Sequence, residues 1–219
     1  MNLHPTPVDT ASHLISPPVP SPLFVPGEPL KLGVLASGTG SNFEAIARTI
    51  GDGKLNAEIE ILIYNNPKAG VIRRAEKFDV PAILVNHREY ATRETFDAEV
   101  VKVLNQYDLD LIVFAGWMRI ATRVLVEAFP HKMINLHPAI LPSFPGIRGV
   151  EQALEAGVKI TGCTVHFVEL EVDRGPIVMQ AAVPVAPDDT PETLHRRIQV
   201  LEHQIMVGAI ALLQATASY

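Results

Sequence analysis

Apolar residues in this chain fall into short unbroken runs, separated by stretches in which they recur every three or four positions. The first pattern predicts buried strands and the second predicts helices. Strands are expected at 30–36, 58–64, 80–85, 109–115 and 132–134, with helices at 43–48, 70–78 and 95–107 between them. In the last of these helices Phe96, Val100, Val103 and Leu104 form the apolar side. Further on, 149–156 reads as a helix, and 162–167 and 177–185 read as strands. Thr190-Pro191-Glu192 then offers an N-cap residue and a proline in the first turn of a long helix that buries Leu194, Ile198, Leu201 and Ile205. Strands alternating with helices imply an α/β fold, Rossmann-like, with a mostly parallel sheet covered by helices on both faces and ligands at the carboxyl ends of its strands. The two consecutive strands near the end imply that the sheet becomes mixed in the C-terminal half.

Residues 1–29 depart from this pattern. Prolines at 5, 7, 17, 18, 20, 22, 26 and 29 predict a disordered proline-rich extension with neither helix nor paired strand, or else a proline segment for a partner. The segment has no Lys or Arg, which argues against a secretory signal or a mitochondrial presequence. The folded domain is therefore expected at 30–219. Its formal net charge of −6 disfavours a nucleic-acid-binding surface, and no run of about twenty residues without charge marks a membrane span. The single cysteine, Cys163, lies in a strand-like stretch and reads as a small buried apolar residue, consistent with the cytoplasm.

Candidate chemistry gathers where strands end. Asn135 and His137 follow a buried run and, two residues apart, point to the same side of an extended segment. An amide can donate hydrogen bonds to a developing oxyanion, and an imidazole can move protons near neutral pH. The bland alternative is a turn-forming Asn beside a surface His. Asp173, in the loop before Gly175-Pro176, could supply a carboxylate that orients the imidazole and a water. Upstream, strand, glycine turn and helix start meet at Ser37-Gly38-Thr39-Gly40-Ser41-Asn42, a cradle for phosphate or simply a tight turn. The turn lacks the Gly-Lys-Ser/Thr of a P-loop and has Phe43 at the third dinucleotide-fingerprint glycine, so a single phosphate monoester fits it best. Glu202 falls on or beside the apolar face of the last helix and calls for a partner. No His, Cys, Asp or Glu cluster has metal-ligand spacing, so no metal is expected.

Taken together, the segments NLHPAILPSFPG, TVHFVELEVDRGPIVMQ and LASGTGSN resemble the phosphoribosylglycinamide formyltransferases, folate-dependent transformylases of purine synthesis, over roughly residues 30 to 215. The resemblance implies transfer of the formyl group of 10-formyltetrahydrofolate, the cosubstrate, to the amine of 5-phosphoribosylglycinamide. It assigns catalysis to Asn135, His137 and Asp173, and substrate binding to Gly40, Ser41, Asn42 and Glu202. Folate binding goes to Met118, Arg119, Ile120, Ala121 and Asn135, with Arg93 in a loop facing the glutamate tail. It also implies a monomer or weak homodimer acting on small molecules, with no nucleic-acid or membrane partner. A formyltetrahydrofolate hydrolase uses the same groups but carries a regulatory domain ahead of the catalytic one; a methionyl-tRNA formyltransferase carries a further C-terminal domain. A non-catalytic folate- or nucleotide-binding module is the alternative from another class, and the presence of Asn135, His137 and Asp173 speaks against it.

Overall fold

The computed structural model describes residues 14–217. Its strands are β1 (Leu14–Ser16), β2 (Leu30–Ala36), β3 (Ala57–Tyr64), β4 (Ala82–Leu84), β5 (Leu111–Phe114), β6 (Met133–His137), β7 (Ile160–Phe167) and β8 (Ile177–Pro184). The helices are α1 (Ser41–Gly51), α2 (Val71–Lys77), α3 (Arg93–Leu104), α4 (Arg123–Ala128), α5 (Gly149–Glu155) and α6 (Pro191–Ala217). All eight strands form one sheet in the order β1-β8-β7-β6-β5-β2-β3-β4. From β4 to β6 the pairings are parallel; β6–β7, β7–β8 and β8–β1 are antiparallel. The strand order reverses direction at the neighbours β2 and β5, and that crevice is where an open α/β sheet presents its ligand site.

The pleat sorts each parallel strand between two cores. Along β2, Leu32, Val34 and Ala36 face the core under α1 and α6, whereas Leu35 faces the core under α3. Strand β3 divides likewise between Leu62 and the pair Ile61 and Ile63. Burial on both faces explains why these strands read as continuous apolar runs instead of alternating ones. On the α3 side, Gly33 leaves room that a Cβ would take from Leu109, whose Cδ1 would lie 2.8 Å away. Helix α6 buries Leu194, Ile198, Leu201 and Ile205 completely, as their spacing predicts. By length and hydropathy α6 could cross a bilayer, but 61% of its most apolar stretch is buried, so it serves here as a core helix.

Two expectations need correction. The stretch 14–29 is not without paired structure: β1 runs antiparallel to β8, with Leu14 opposite Ala182 and Ser16 opposite Gln180. Ile15, Val19 and Leu23 pack on the core of α6, while the Val25 and Gly27 carbonyls accept from Asn56 Nδ2 at 2.8 and 3.0 Å. Prolines exclude a helix, but they permit a short edge strand and an extended strap whose acceptors are satisfied by side chains. The part of the expected extension before residue 14 lies outside the described residues. The second correction concerns Arg93, which opens α3 instead of lying in a loop. Thr92 caps that helix through a reciprocal Thr92/Thr95 hydrogen-bond pair, so the helix begins two residues earlier than its apolar spacing indicated.

Candidate active site

Strand β6 ends between a parallel neighbour, β5, and an antiparallel one, β7, and its last residues carry the candidate chemistry. Asn135 lies opposite His166 and His137 opposite Thr164 across the β6–β7 ladder. Asp173 reaches the same point from the β7–β8 loop, with its backbone in the left-handed region at φ 55°. Its carboxylate is shared: Oδ2 lies 3.3 Å from His137 Nδ1, and Oδ1 lies 3.4 Å from His166 Nε2. The Gly146 N–H donates to Oδ2 at 2.7 Å. All three side chains are almost fully buried, at 5%, 3% and 8% exposure for His137, His166 and Asp173. Burial alone pushes the Asp173 carboxyl upward, but the His166 contact, the Gly146 N–H and the charge of His137 outweigh it and hold the group below the ordinary carboxylate value.

The two imidazoles are fixed differently. His166 Nδ1 donates to the Phe167 carbonyl at 2.8 Å, and its Nε2 lies between Asp173 Oδ1 at 3.4 Å and Asn135 Nδ2 at 3.2 Å. An amide nitrogen carries two N–H groups, so at least one is left on Asn135 for an oxyanion. Both ring nitrogens of His137 face acceptors, with Nε2 donating to the Phe144 carbonyl at 2.8 Å and Nδ1 toward Asp173. The neighbouring turn is braced from outside: the Thr164 hydroxyl donates to Ala139 O at 2.7 Å and accepts from Leu141 N at 3.1 Å, while Gln180 Nε2 donates to Leu141 O at 2.9 Å.

Beside this cluster opens a cleft of about 310 Å³, lined by Phe114, 116–121, 135–138, 146–148 and parts of 166–173. Met118, Ile120 and Ile147 are apolar yet 75%, 50% and 82% exposed, which suits the lips of a site for a flat ring. Trp117 supports the wall from behind, stacked on Phe96 with centroids 5.8 Å apart and the ring planes 19° apart. Trp117 Nε1 and Arg119 Nε are buried with no hydrogen-bond partner among the described residues. The wall is clamped at both ends. Met118 N donates to Ser37 Oγ at 2.8 Å, and Thr122 N donates to the buried Asp97 carboxylate at 2.6 Å. Burial pushes the Asp97 carboxyl up, against the Thr122 hydrogen bonds and the charge of Arg119. Arg93 is exposed and is not part of the cleft lining.

The glycine turn lies at the end of β2. Gly40 is the N-cap of α1 at φ 79°, and a Cβ there would come within 2.4 Å of Val71 Cγ2 and 3.0 Å of Val71 Cα, so only glycine fits. No side chain caps α1, which leaves its first N–H groups free for an anion. Ser41 Oγ accepts from Gln199 Nε2 at 3.0 Å, and Asn42 Nδ2 donates to Glu202 Oε2 at 3.3 Å. Glu202 is 5% exposed, and burial with this single neutral donor pushes its carboxyl up, moderated by Asn42 and His195. The structure thus joins Ser41 and Asn42 to Glu202 in one group, and Asn135, His137 and Asp173 in another.

Sequence reasoning missed three contributors. His166 stood in plain view in the Val-His-Phe-Val strand, and its place next to the last residue of β7 was the available signal. Asp97 showed none, being an acid within an apolar helix pattern. Gln199, on α6 three residues before Glu202, was legible only as a polar residue on the same helical face.

Residues 30–210 match the formyl transferase family. The chain is 41% identical over 174 residues to a phosphoribosylglycinamide formyltransferase of Bacillus subtilis (strain 168), covering 80% of this chain and 89% of that one. It is 42% identical over 182 residues to the human trifunctional purine biosynthetic protein adenosine-3, but that match takes in 83% of this chain and only 18% of the human protein. Among solved structures, glycinamide ribonucleotide transformylase 1 from Symbiobacterium toebii superposes with a TM-score of 0.83 at 42% identity, covering 86% of this chain and 89% of the other. The family match runs from β2 through most of α6 and so includes both groups of site residues; the chain belongs to the formyl transferase family.

Proposed function

We propose that this chain transfers the formyl group of 10-formyltetrahydrofolate to the amine of 5-phosphoribosylglycinamide, a step of de novo purine synthesis in the cytoplasm. The observation that carries the reading is the Asp173 carboxylate shared between His137 and His166 beside a mostly apolar cleft, with the Asn135 amide at its edge. The pterin of the donor lies along the 116–121 wall, where Trp117 Nε1 and Arg119 Nε gain partners. The ribonucleotide phosphate takes the free N–H groups of α1, and Glu202 receives the ribose or the glycinamide amine.

From this placement the chemistry follows. The amine lone pair attacks the formyl carbon, the carbonyl pair moves to oxygen, and the remaining Asn135 N–H steadies that oxyanion. His137, held by Asp173 and Phe144 O, manages the proton that leaves the amine and the proton that the departing folate nitrogen requires. Asp173 remains ionised through the neutral range and keeps the imidazole oriented. The Bacillus relative's name supports the acceptor, and the shape of the cleft supports the donor.

The test is to incubate purified protein with 10-formyltetrahydrofolate, with and without the ribonucleotide, and to measure both tetrahydrofolate and formylated product. Stoichiometric formylated product that requires the acceptor is expected. Release of tetrahydrofolate at the same rate without acceptor would turn the assignment to the hydrolase.

A further inference from the structure

A second and larger cavity, of about 900 Å³, lies between the N-terminal strap, α1 and α6. It has no lining residue in common with the cleft beside His137 and Asp173. One wall is apolar and comes from the strap, at Ile15, Pro18, Val19 and Leu23, with Ala45 and Val207 facing from the helices. The strap residues lie ahead of residue 30, where the family match begins, so this wall is not part of the matched family region.

The opposite rim is cationic. Glu44 is shared by Arg48 at 3.1 Å, Lys77 at 2.9 Å and Arg74; of these Arg48 and Arg74 line the cavity, so one positive charge is left over there. Lys54 lines the same rim, paired with Asp52. The chain carries a formal net charge of −6, so this excess is a local inversion of its overall charge. His203 also lines the cavity, and its Nε2 is buried with no hydrogen-bond partner among the described residues. An unpartnered ring nitrogen, excess positive charge and an apolar wall in one cavity make an arrangement that a ligand with a polar head and an apolar body would complete.

We propose that this cavity is an accessory binding site for a small amphipathic anion, whose apolar body lies against Ile15, Val19 and Leu23 and whose anionic group meets Arg48 and Arg74. Apart from Ser41, which also belongs to the cradle at the start of α1, the residues that build the site have no place in the proposed formyl transfer, and occupancy is measured with no reaction running.

The probe is 8-anilinonaphthalene-1-sulfonate, an aromatic body carrying one sulfonate, titrated by fluorescence into the full chain under native conditions. Its uncharged analogue, N-phenyl-1-naphthylamine, is titrated in parallel. One saturable site is expected, with the sulfonate bound more tightly than the amine. Ala45→Trp projects an indole into the cavity from α1 and should weaken both probes. Arg48→Glu should weaken the sulfonate about tenfold, the loss expected when one charge-assisted contact is removed, and leave the amine unchanged. Melting temperature and circular dichroism establish that both variants are folded. Unchanged sulfonate affinity in folded Ala45→Trp would put the probe elsewhere and overturn the proposal. Equal weakening of both probes by Arg48→Glu, or equal affinity of the two in the wild type, would overturn its anionic character.

Discussion

Two buried carboxylates serve the two halves of this site, and their surroundings drive them in opposite directions. Asp173, at the antiparallel end of the sheet, meets two imidazoles and a backbone N–H, and is held below the ordinary carboxylate value. Glu202, where α6 crosses the start of α1, meets one side-chain amide and is pushed above it. Both are nearly inaccessible to solvent, but Glu202 lies deeper among protein atoms and desolvation prevails there, whereas at Asp173 the donors and charges facing the carboxylate outweigh it. In the proposed reaction, the carboxylate that stays ionised beside the working imidazole is the one supplied with donors by the protein, and the one that receives the acceptor's amine or hydroxyl is the one left under-supplied.

The largest effect should come from dismantling the well-supplied group. His137→Ala and Asp173→Asn should each lower turnover by about two to four decades, as for loss of an acid/base group, with the fold retained. Steady-state kinetics on variants of unaltered circular dichroism checks this, and near-normal turnover in a folded His137→Ala protein would remove the imidazole from the mechanism.

Next in size is the under-supplied carboxylate. Glu202→Gln should raise KM for the ribonucleotide by about tenfold, the loss of one charge-assisted contact, and leave KM for the formyl donor unchanged. The same substitution should raise thermal stability at neutral pH. A carboxyl whose folded pKa lies above its ordinary value of 4.5 contributes stability that is complete below that value and is lost as pH rises through the folded pKa. Asp173 has the opposite sign. Its contribution is complete above the ordinary value of 3.8 and is lost only as pH falls through the lower folded pKa. Melting curves across acid and neutral pH should therefore show Glu202→Gln gaining on the wild type as pH rises, and Asp173→Asn losing to it. Parallel trends would mean that the two environments are not opposed.

Removing residues 1–28 tests another part of the contrast, the antiparallel edge. The truncation deletes β1 and the buried parts of Ile15, Val19 and Leu23, and should lower the melting temperature by several degrees, at about 2–4 °C per kcal/mol for a chain of this size. An unchanged melting temperature would mean that the strap is dispensable. The smallest effect is expected at Asp97, which positions the 116–121 wall, the proposed folate wall, through Thr122 N without lining the cleft. Asp97→Asn should raise KM for the formyl donor about three- to tenfold and spare KM for the ribonucleotide, since a neutral acceptor replaces a charged one. A donor KM equal to that of the wild type would confine Asp97 to packing.

The sequence by itself determined the elements that depend on neighbours in the chain. The apolar runs gave β2, β3, β5 and β6 because parallel strands are buried on both faces, and the spacing of Leu194, Ile198, Leu201 and Ile205 located the buried face of α6. Gly40 was legible because a glycine at the junction of strand and helix permits a conformation that other residues resist. Asn135 and His137 were legible as a pair because the period of a strand is two.

Tertiary structure alone decided what depends on partners distant in sequence. Asp173 could be suspected as the third member of the cluster, but not that it would divide its carboxylate between His137 and His166. Nor could Glu202, 160 residues from Asn42, be seen to depend on that one amide. The proline-rich strap misled for the same reason. Its local chemistry excludes a helix, but an edge strand needs only a neighbour with unpaired N–H and C=O groups, and β8 supplies that from more than 160 residues away. Local propensity is written residue by residue, whereas the charge state of a buried group and the pairing of an edge are set by whichever groups the fold brings alongside.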